Sequence, residues 1–164
     1  MSSLLCNIKQ KKFGPSGFTA VEVILVMSIM TILLSVVAVN LFSFQHKSQL
    51  SSTIESFLAD YKEQQIKAMV GDAGGSATPS AYGIHLETNS YTEFRNSYGT
   101  QNFTVSLPSG TQFASTTFSN AQVLFATGSG EVATGNNTIT IKDNGNGSQK
   151  VITINRYGVV TGVN

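Results

Sequence analysis

Apolar and polar positions divide the chain into three stretches with different periods. Residues 23–45 carry no formal charge and form a nearly continuous apolar run of 23 residues. As a helix, that run is ~35 Å long at ~1.5 Å per residue, enough to cross a hydrocarbon core of ~30 Å. A cleaved secretory signal has a shorter apolar core, roughly 7–15 residues, and a small-residue cut site beyond it; residues 38–40 match such a site poorly. From residue 45 to 70 there is no Gly or Pro, and Leu50, Ile54, Phe57, Leu58, Tyr61, Ala68 and Met69 recur as one stripe at helical spacing. Lys47, Glu55, Asp60, Lys62, Glu63 and Lys67 fall largely elsewhere, and Ile66 lies off the stripe. Gly71, Gly74 and Gly75 then end the pattern. The spacing predicts one helix over about residues 18–70. Its first half faces lipid or partner helices, and its second half carries a stripe that later chain must cover.

Beyond residue 71 the period changes from 3.6 to 2. Thirteen of the fifteen glycines lie at or beyond Gly71, and apolar residues alternate in short runs. Strands are expected over residues 82–87, 91–96, 102–107, 112–118, 122–127, 138–142, 150–155 and 159–163. The clearest pair is Thr138-Ile139-Thr140-Ile141-Lys142 and Val151-Ile152-Thr153-Ile154-Asn155, joined through Asp143-Asn144-Gly145-Asn146-Gly147, which is strong hairpin chemistry. The fold class is α+β: a long N-terminal helix packed against a C-terminal antiparallel sheet or sandwich. The inner face of so small a β domain has to pack on the stripe from Leu50 to Met69 to complete a core.

Composition and charge sharpen this picture at the N-terminus. The first 17 residues hold Lys9, Lys11 and Lys12 and no acid, and Gly14-Pro15-Ser16-Gly17 keeps the segment extended rather than helical. Lysines ahead of an apolar span place the N-terminus in the cytoplasm and everything after Phe44 outside, with Lys47 as a slight counterweight. From residue 18 onward seven basic residues face nine acids, so the remainder is slightly acidic and is no generic phosphate binder. Cys6 is the only cysteine, so no disulfide forms within the chain and thiol usage says nothing of compartment.

One residue does not suit a simple anchor. Glu22 sits near the start of the apolar run, and a lone carboxylate at membrane depth costs a few kcal/mol and normally marks a paired or functional position.

Gly17-Phe18-Thr19-Ala20-Val21-Glu22, preceded by a basic leader and followed by the apolar helix, resembles the class III signal of type IV pilins and type II secretion pseudopilins. The segments Val123-Leu124-Phe125-Ala126-Thr127-Gly128, Asn137-Thr138-Ile139-Thr140-Ile141, Val151-Ile152-Thr153-Ile154-Asn155 and Gly158-Val159-Val160 are similar to the C-terminal pattern of the GspH/FimT minor pseudopilins. The resemblance implies a cytoplasmic leader, residues 1–17, removed by a prepilin peptidase between Gly17 and Phe18, with Phe18 becoming N-methylphenylalanine. Residues 18–45 are then the transmembrane and assembly half of the helix, 46–70 its amphipathic half, and 71–164 a β domain outside the membrane. It implies a non-enzymatic minor pilin or pseudopilin, without cofactor, held first in the inner membrane and then drawn into a pilus or secretion pseudopilus. Its partners would be the lipid bilayer, other pilins or pseudopilins in a hetero-oligomeric filament, the peptidase and an inner-membrane assembly platform. In that setting the Phe18 ammonium freed by cleavage pairs with Glu22 of a neighbour and sets axial register.

Other chemistry is thinner. Some major pseudopilins bind calcium, but Asp143 to Gly147 offers one carboxylate and lacks the spacing of a calcium loop, so a plain hairpin turn is expected. His85 and Glu87 alternate on one strand, yet no nucleophile elbow, metal pair or phosphate loop accompanies them. Asn40 and the hydroxyls of the apolar run are expected to be tolerated, with Ser and Thr bonding their own helix. Two alternatives stay open. One is a pilus-tip subunit that takes up DNA, for which Lys142, Lys150 and Arg156 are the weak nucleic-acid candidates. The other is an uncleaved single-pass anchor carrying a β domain without any filament.

Overall fold

The computed structural model describes residues 17–99, 102–132 and 135–164, with the backbone alone at residues 38–43 and 46; the basic leader and Cys6 lie outside the described residues. The chain is α+β. Helix α1 spans Ala20–Val70 and is followed by β1 (Tyr82–Leu86), β2 (Ser90–Arg95), β3 (Asn102–Ser106), β4 (Thr111–Thr116), a single 3-10 turn (Ser119–Ala121), β5 (Gln122–Phe125), β6 (Asn137–Asp143), β7 (Gln149–Ile154) and β8 (Val160–Val163). By internal contacts the chain separates into two units, Met1–Asn40 and Leu41–Asn164.

Both ends of α1 have a local chemical cause. At the start, Thr19 caps the helix: the Glu22 N–H donates to the Thr19 carbonyl at 3.1 Å and to Thr19 Oγ1 at 3.3 Å. At the end, Gly71 takes φ +66°, its N–H donates to the Ala68 carbonyl at 3.2 Å, and the Asp72 N–H donates to the Lys67 carbonyl at 3.0 Å. That pair of bonds is a Schellman ending, which needs a residue that accepts a positive φ.

The eight strands form two antiparallel four-stranded sheets, β3-β2-β1-β5 and β4-β6-β7-β8. Each expected strand is present, with every end within two residues of its expected place. The Asp143 turn is a hairpin: Asp143 Oδ1 accepts from the Gly145 N–H at 2.6 Å, and the Gly147 N–H donates to the Asp143 carbonyl at 2.9 Å.

The core of the second unit joins both sheets to the amphipathic half of α1. Phe57 is fully buried, edge-to-face with Tyr91 of the first sheet at 5.2 Å and near edge-to-face with Phe113 of the second at 5.4 Å. Tyr61 meets Phe125 at 5.0 Å, and Ile139, Ile141, Ile152 and Ile154 fill the second sheet's inner face. The expected stripe is buried at Leu50, Ile54, Phe57, Tyr61 and Ala68 and half-buried at Leu58. It differs at Met69, which is 49% exposed, and at Thr53 and Gln64, which are buried. Gln64 tolerates burial because its Nε2 donates to Glu93 Oε2 at 2.5 Å.

A smaller apolar cluster occupies the outer face of the first sheet. Phe94 lies over Gly83, where a Cβ would stand 2.4 Å from its ring, and Tyr98 packs edge-to-face on Phe94 at 6.2 Å. Phe94 is 3% exposed although it points away from the main core.

Candidate functional site

The N-terminal half of α1 is the part of the molecule with the strongest chemical demand. Its window Ala20–Val37 has a mean hydropathy of 2.5 with none of it buried, so this one helix is long and apolar enough to cross a membrane. Apolar side chains are exposed all round it, including Val21, Ile24, Leu25, Met27, Ile32 and Leu34. A surface helix shows an apolar stripe, whereas a helix apolar on every side belongs in lipid or among other helices. Its hydroxyls are satisfied internally. Ser28 Oγ donates to the Leu25 carbonyl at 2.8 Å, Thr31 Oγ1 to Met27 at 2.8 Å and Ser35 Oγ to Ile32 at 2.7 Å. The Asn40 side chain lies outside the described residues.

Gly17 and Phe18 precede the helix in non-helical backbone, and Phe18 is 83% exposed. Glu22 is the third residue of α1 and is exposed. With Thr19 as N-cap, Glu22 holds the position of a capping-box acid, where a carboxylate also meets the positive end of the helix dipole. The Thr19-x-x-Glu22 spacing ahead of an apolar run is visible in the sequence as the signature of such a helix start. It supplies a local reason for an acid at this place, beside any role between subunits.

The three basic candidates do not share a surface. In the β6–β7 ladder Lys142 pairs with Gln149 and Ile141 with Lys150. Strand alternation therefore turns Lys142 to the outer face, while Lys150 shares its face with the buried Ile152. Arg156 follows the far end of β7, about six residues from Lys150, or roughly 20 Å at the strand rise. Arg156 lies 5.0 Å over the Tyr157 ring and lines a cavity together with Glu131. No single positive track for a phosphate backbone results from this placement.

His85 and Glu87 both meet Tyr98. The His85 ring stacks on Tyr98 at 4.0 Å, while Glu87 accepts from Ser90 Oγ at 2.8 Å and from Tyr98 Oη at 2.9 Å. Hydrogen bonds from Ser90 and then Tyr98 hold the Glu87 carboxyl below its ordinary range. Both its oxygens are thus used in pinning the 96–99 turn against the outer face of the sheet. Among the described residues no group of three His, Cys, Asp or Glu side chains is placed to hold a metal ion. Set against models of known protein families, curated proteins and solved structures, the chain matches none of them.

Proposed function

We propose that this chain is a minor pilin or pseudopilin, a non-enzymatic subunit stored in a membrane through residues 18–45, processed between Gly17 and Phe18, and assembled into a filament through α1. The observation that most supports this reading is the start of the helix. Gly17 and Phe18 stand exposed in non-helical backbone just ahead of the Thr19 cap, where a peptidase has access, and the helix that follows is apolar on all sides. Lipid covers that surface in storage, and neighbouring helices cover it in the filament. The resemblance of Gly17 to Glu22 to a prepilin signal ties these features to one process. The prepilin peptidase, an inner-membrane platform and other pilins are the partners it requires, with the N-terminus cytoplasmic and the β domain outside. Intact-mass measurement on the membrane fraction tests it: a mature chain beginning at methylated Phe18 is expected, and an intact Met1 start overturns it.

The proposal gives Glu22 a second duty, pairing with the Phe18 ammonium of a neighbour. Substitution by Gln and by Ala separates that duty from capping, because Gln preserves a capping box and Ala does not. Both variants are expected to insert in the membrane, and both to lose incorporation into filaments. Normal incorporation of Glu22→Gln reduces Glu22 to a helix cap.

A further inference from the structure

The sequence holds two Asn-Gly dipeptides, Asn144-Gly145 and Asn146-Gly147, and both fall in the turn between β6 and β7. Such a dipeptide is open to a reaction that needs no enzyme. The Gly N–H gives up its proton to solvent hydroxide, and the nitrogen attacks the Asn carboxamide carbon, Cγ. An N–C bond forms there, the Cγ–Nδ2 bond breaks, and Nδ2 takes up a proton and leaves as ammonia. Water then opens the cyclic imide at either carbonyl to give aspartate or isoaspartate; nothing is oxidised or reduced. Glycine favours the attack because no Cβ stands beside the nitrogen. In composition the two dipeptides are identical, and residues 144–147 are all exposed, so neither sequence nor accessibility distinguishes them.

Hydrogen bonding does. At the first dipeptide the attacking group, the Gly145 N–H, donates to Asp143 Oδ1 at 2.6 Å. A bond to a carboxylate is roughly twice as strong as a neutral one, and here it retains the very proton that has to leave. Asp143 is itself only 2% exposed, so this acceptor is fixed. The carboxamide is held as well: Asn144 Nδ2 donates to Gln112 Oε1 of β4 at 2.9 Å. The Asn144 N–H donates to the Gly110 carbonyl at 2.7 Å. Every one of these bonds opposes the approach of Gly145 nitrogen to Asn144 Cγ or the loss of Nδ2.

The second dipeptide is held differently. The Gly147 N–H donates to the Asp143 backbone carbonyl at 2.9 Å, a neutral bond. The one side-chain hydrogen bond of Asn146 among the described residues is at its oxygen, where Oδ1 accepts from the Ser148 N–H at 2.8 Å. That donor works in the opposite sense from those at Asn144. It is aimed at the atom on which negative charge develops as nitrogen adds to Cγ, the arrangement that lowers the barrier to acyl chemistry in general.

We propose that Asn146 is a site of spontaneous deamidation in the folded protein, and that Asp143 and Gln112 protect Asn144 from the same reaction. Conversion of Asn146 lowers the formal charge of residues 142–150 from +1 to zero. The isoaspartate product also adds a backbone carbon to the turn that joins the paired strands β6 and β7. The inference stands apart from the filament reading, since it concerns the β6–β7 turn and needs no processing of the N-terminus.

The test incubates the full chain in detergent micelles at mildly alkaline pH and maps the mass gain of deamidation by peptide fragmentation that resolves residue 144 from 146. Asn146 is expected to convert at least about tenfold faster than Asn144 in the folded chain, the ratio set by one stronger hydrogen bond on the attacking N–H. In urea the two rates are expected to converge. Gln112→Ala is expected to speed Asn144 about fivefold, the effect of one neutral hydrogen bond, and to leave Asn146 unchanged. Equal rates in the folded chain, a faster Asn144, or no conversion at Asn146 while the unfolded chain converts overturns the proposal. A difference that persists in urea also overturns it, because the cause then lies in the local sequence and not in the turn.

Discussion

Replacing Phe57 by Ala is the sharpest test of how the amphipathic half of α1 holds the β domain. Phe57 has no exposed surface and contacts aromatic rings from both sheets, Tyr91 at 5.2 Å and Phe113 at 5.4 Å, with Tyr61 of its own helix at 6.3 Å. Truncating a buried Phe costs about 3–5 kcal/mol through lost transfer energy and the cavity left behind. Two near edge-to-face pairs, each worth about 0.5–1.5 kcal/mol beyond area burial, place this site at the upper end, near ~4–5 kcal/mol. A domain of ordinary stability, roughly 5–15 kcal/mol, becomes marginal after such a loss. Urea unfolding in micelles, followed by near-ultraviolet circular dichroism of the five tyrosines in a chain without tryptophan, reads the domain and not the apolar half of the helix. With a slope of about 2 kcal/mol per molar, the midpoint falls by roughly 2 M. Ile66→Ala, about two and a half turns further along α1 and 58% exposed, is the control and is expected to change stability by no more than about 0.5 kcal/mol. A cost below ~1 kcal/mol for Phe57→Ala, or an equal cost for Ile66→Ala, refutes the assignment of the buried face.

Two further substitutions probe the first sheet. Burial, and then the Asp60 carboxylate, raise the Glu93 carboxyl above its ordinary 4.5, so the folded state holds that proton more tightly than the unfolded state and stability falls as pH climbs through the native pKa. Glu93→Gln keeps an acceptor for Gln64 and removes this dependence; its advantage over the parent is expected to grow between about pH 4 and pH 7 in denaturation midpoints, and an advantage independent of pH contradicts the linkage. Gly83→Ala puts a Cβ 2.4 Å from the Phe94 ring and 2.5 Å from the Val123 carbonyl oxygen, which the β1–β5 ladder fixes. A loss of at least about 1–3 kcal/mol is expected from such overpacking, and a neutral effect in thermal melts contradicts the Phe94 packing.

What the sequence made legible follows from which interactions are local. The eight strands are found by alternation because each buries one face, as in β6, where Asn137, Ile139, Ile141 and Asp143 are buried and the intervening residues are not. The end of the helix is found because Gly71 acts on its own neighbours, whereas the start is read from the apolar run and not from the Thr19 cap. The division into two sheets is not legible, since β1 pairs with β5 across β2, β3 and β4, and nothing within either strand specifies that partner. The same holds for Gln64, whose burial depends on Glu93, 29 residues away. Met69 fits the helical period, but it sits in the last turn, where its cover is the Gly130 turn rather than a sheet. Phe94 follows the alternation to the outer face, where solvent is expected; the Asn96 to Gly99 turn returns Tyr98 over it instead. At the candidate site, alternation also separates Lys142 from Lys150, which their closeness in sequence conceals.

The two readings of Glu22 differ in magnitude as well as in kind. An N-terminal cap, like a carboxylate at the helix dipole, stabilises by about 1 kcal/mol. That is enough to favour an acid in the first turn of a helix whose end lies at a membrane interface, where the carboxylate keeps its hydration. It is too little to offset moving the same carboxylate into a closely packed bundle of apolar helices, where the penalty is several kcal/mol per ion unless a counter-charge is supplied. Under the proposed function, capping would account for Glu22 in a membrane-stored subunit but not in a filament core. Any assembly that buries the apolar surface from Val21 to Val37 must either leave this first turn wet or bring a cation to it. Under the proposed processing, cleavage after Gly17 would supply a cation four residues from Glu22, the Phe18 ammonium. That amine would stand just ahead of α1, two residues before Ala20, so a lateral neighbour displaced axially would be needed to bring its Glu22 carboxylate level with it. In the proposed filament the apolar surface would set no axial position by itself, whereas a Phe18–Glu22 charge pair would.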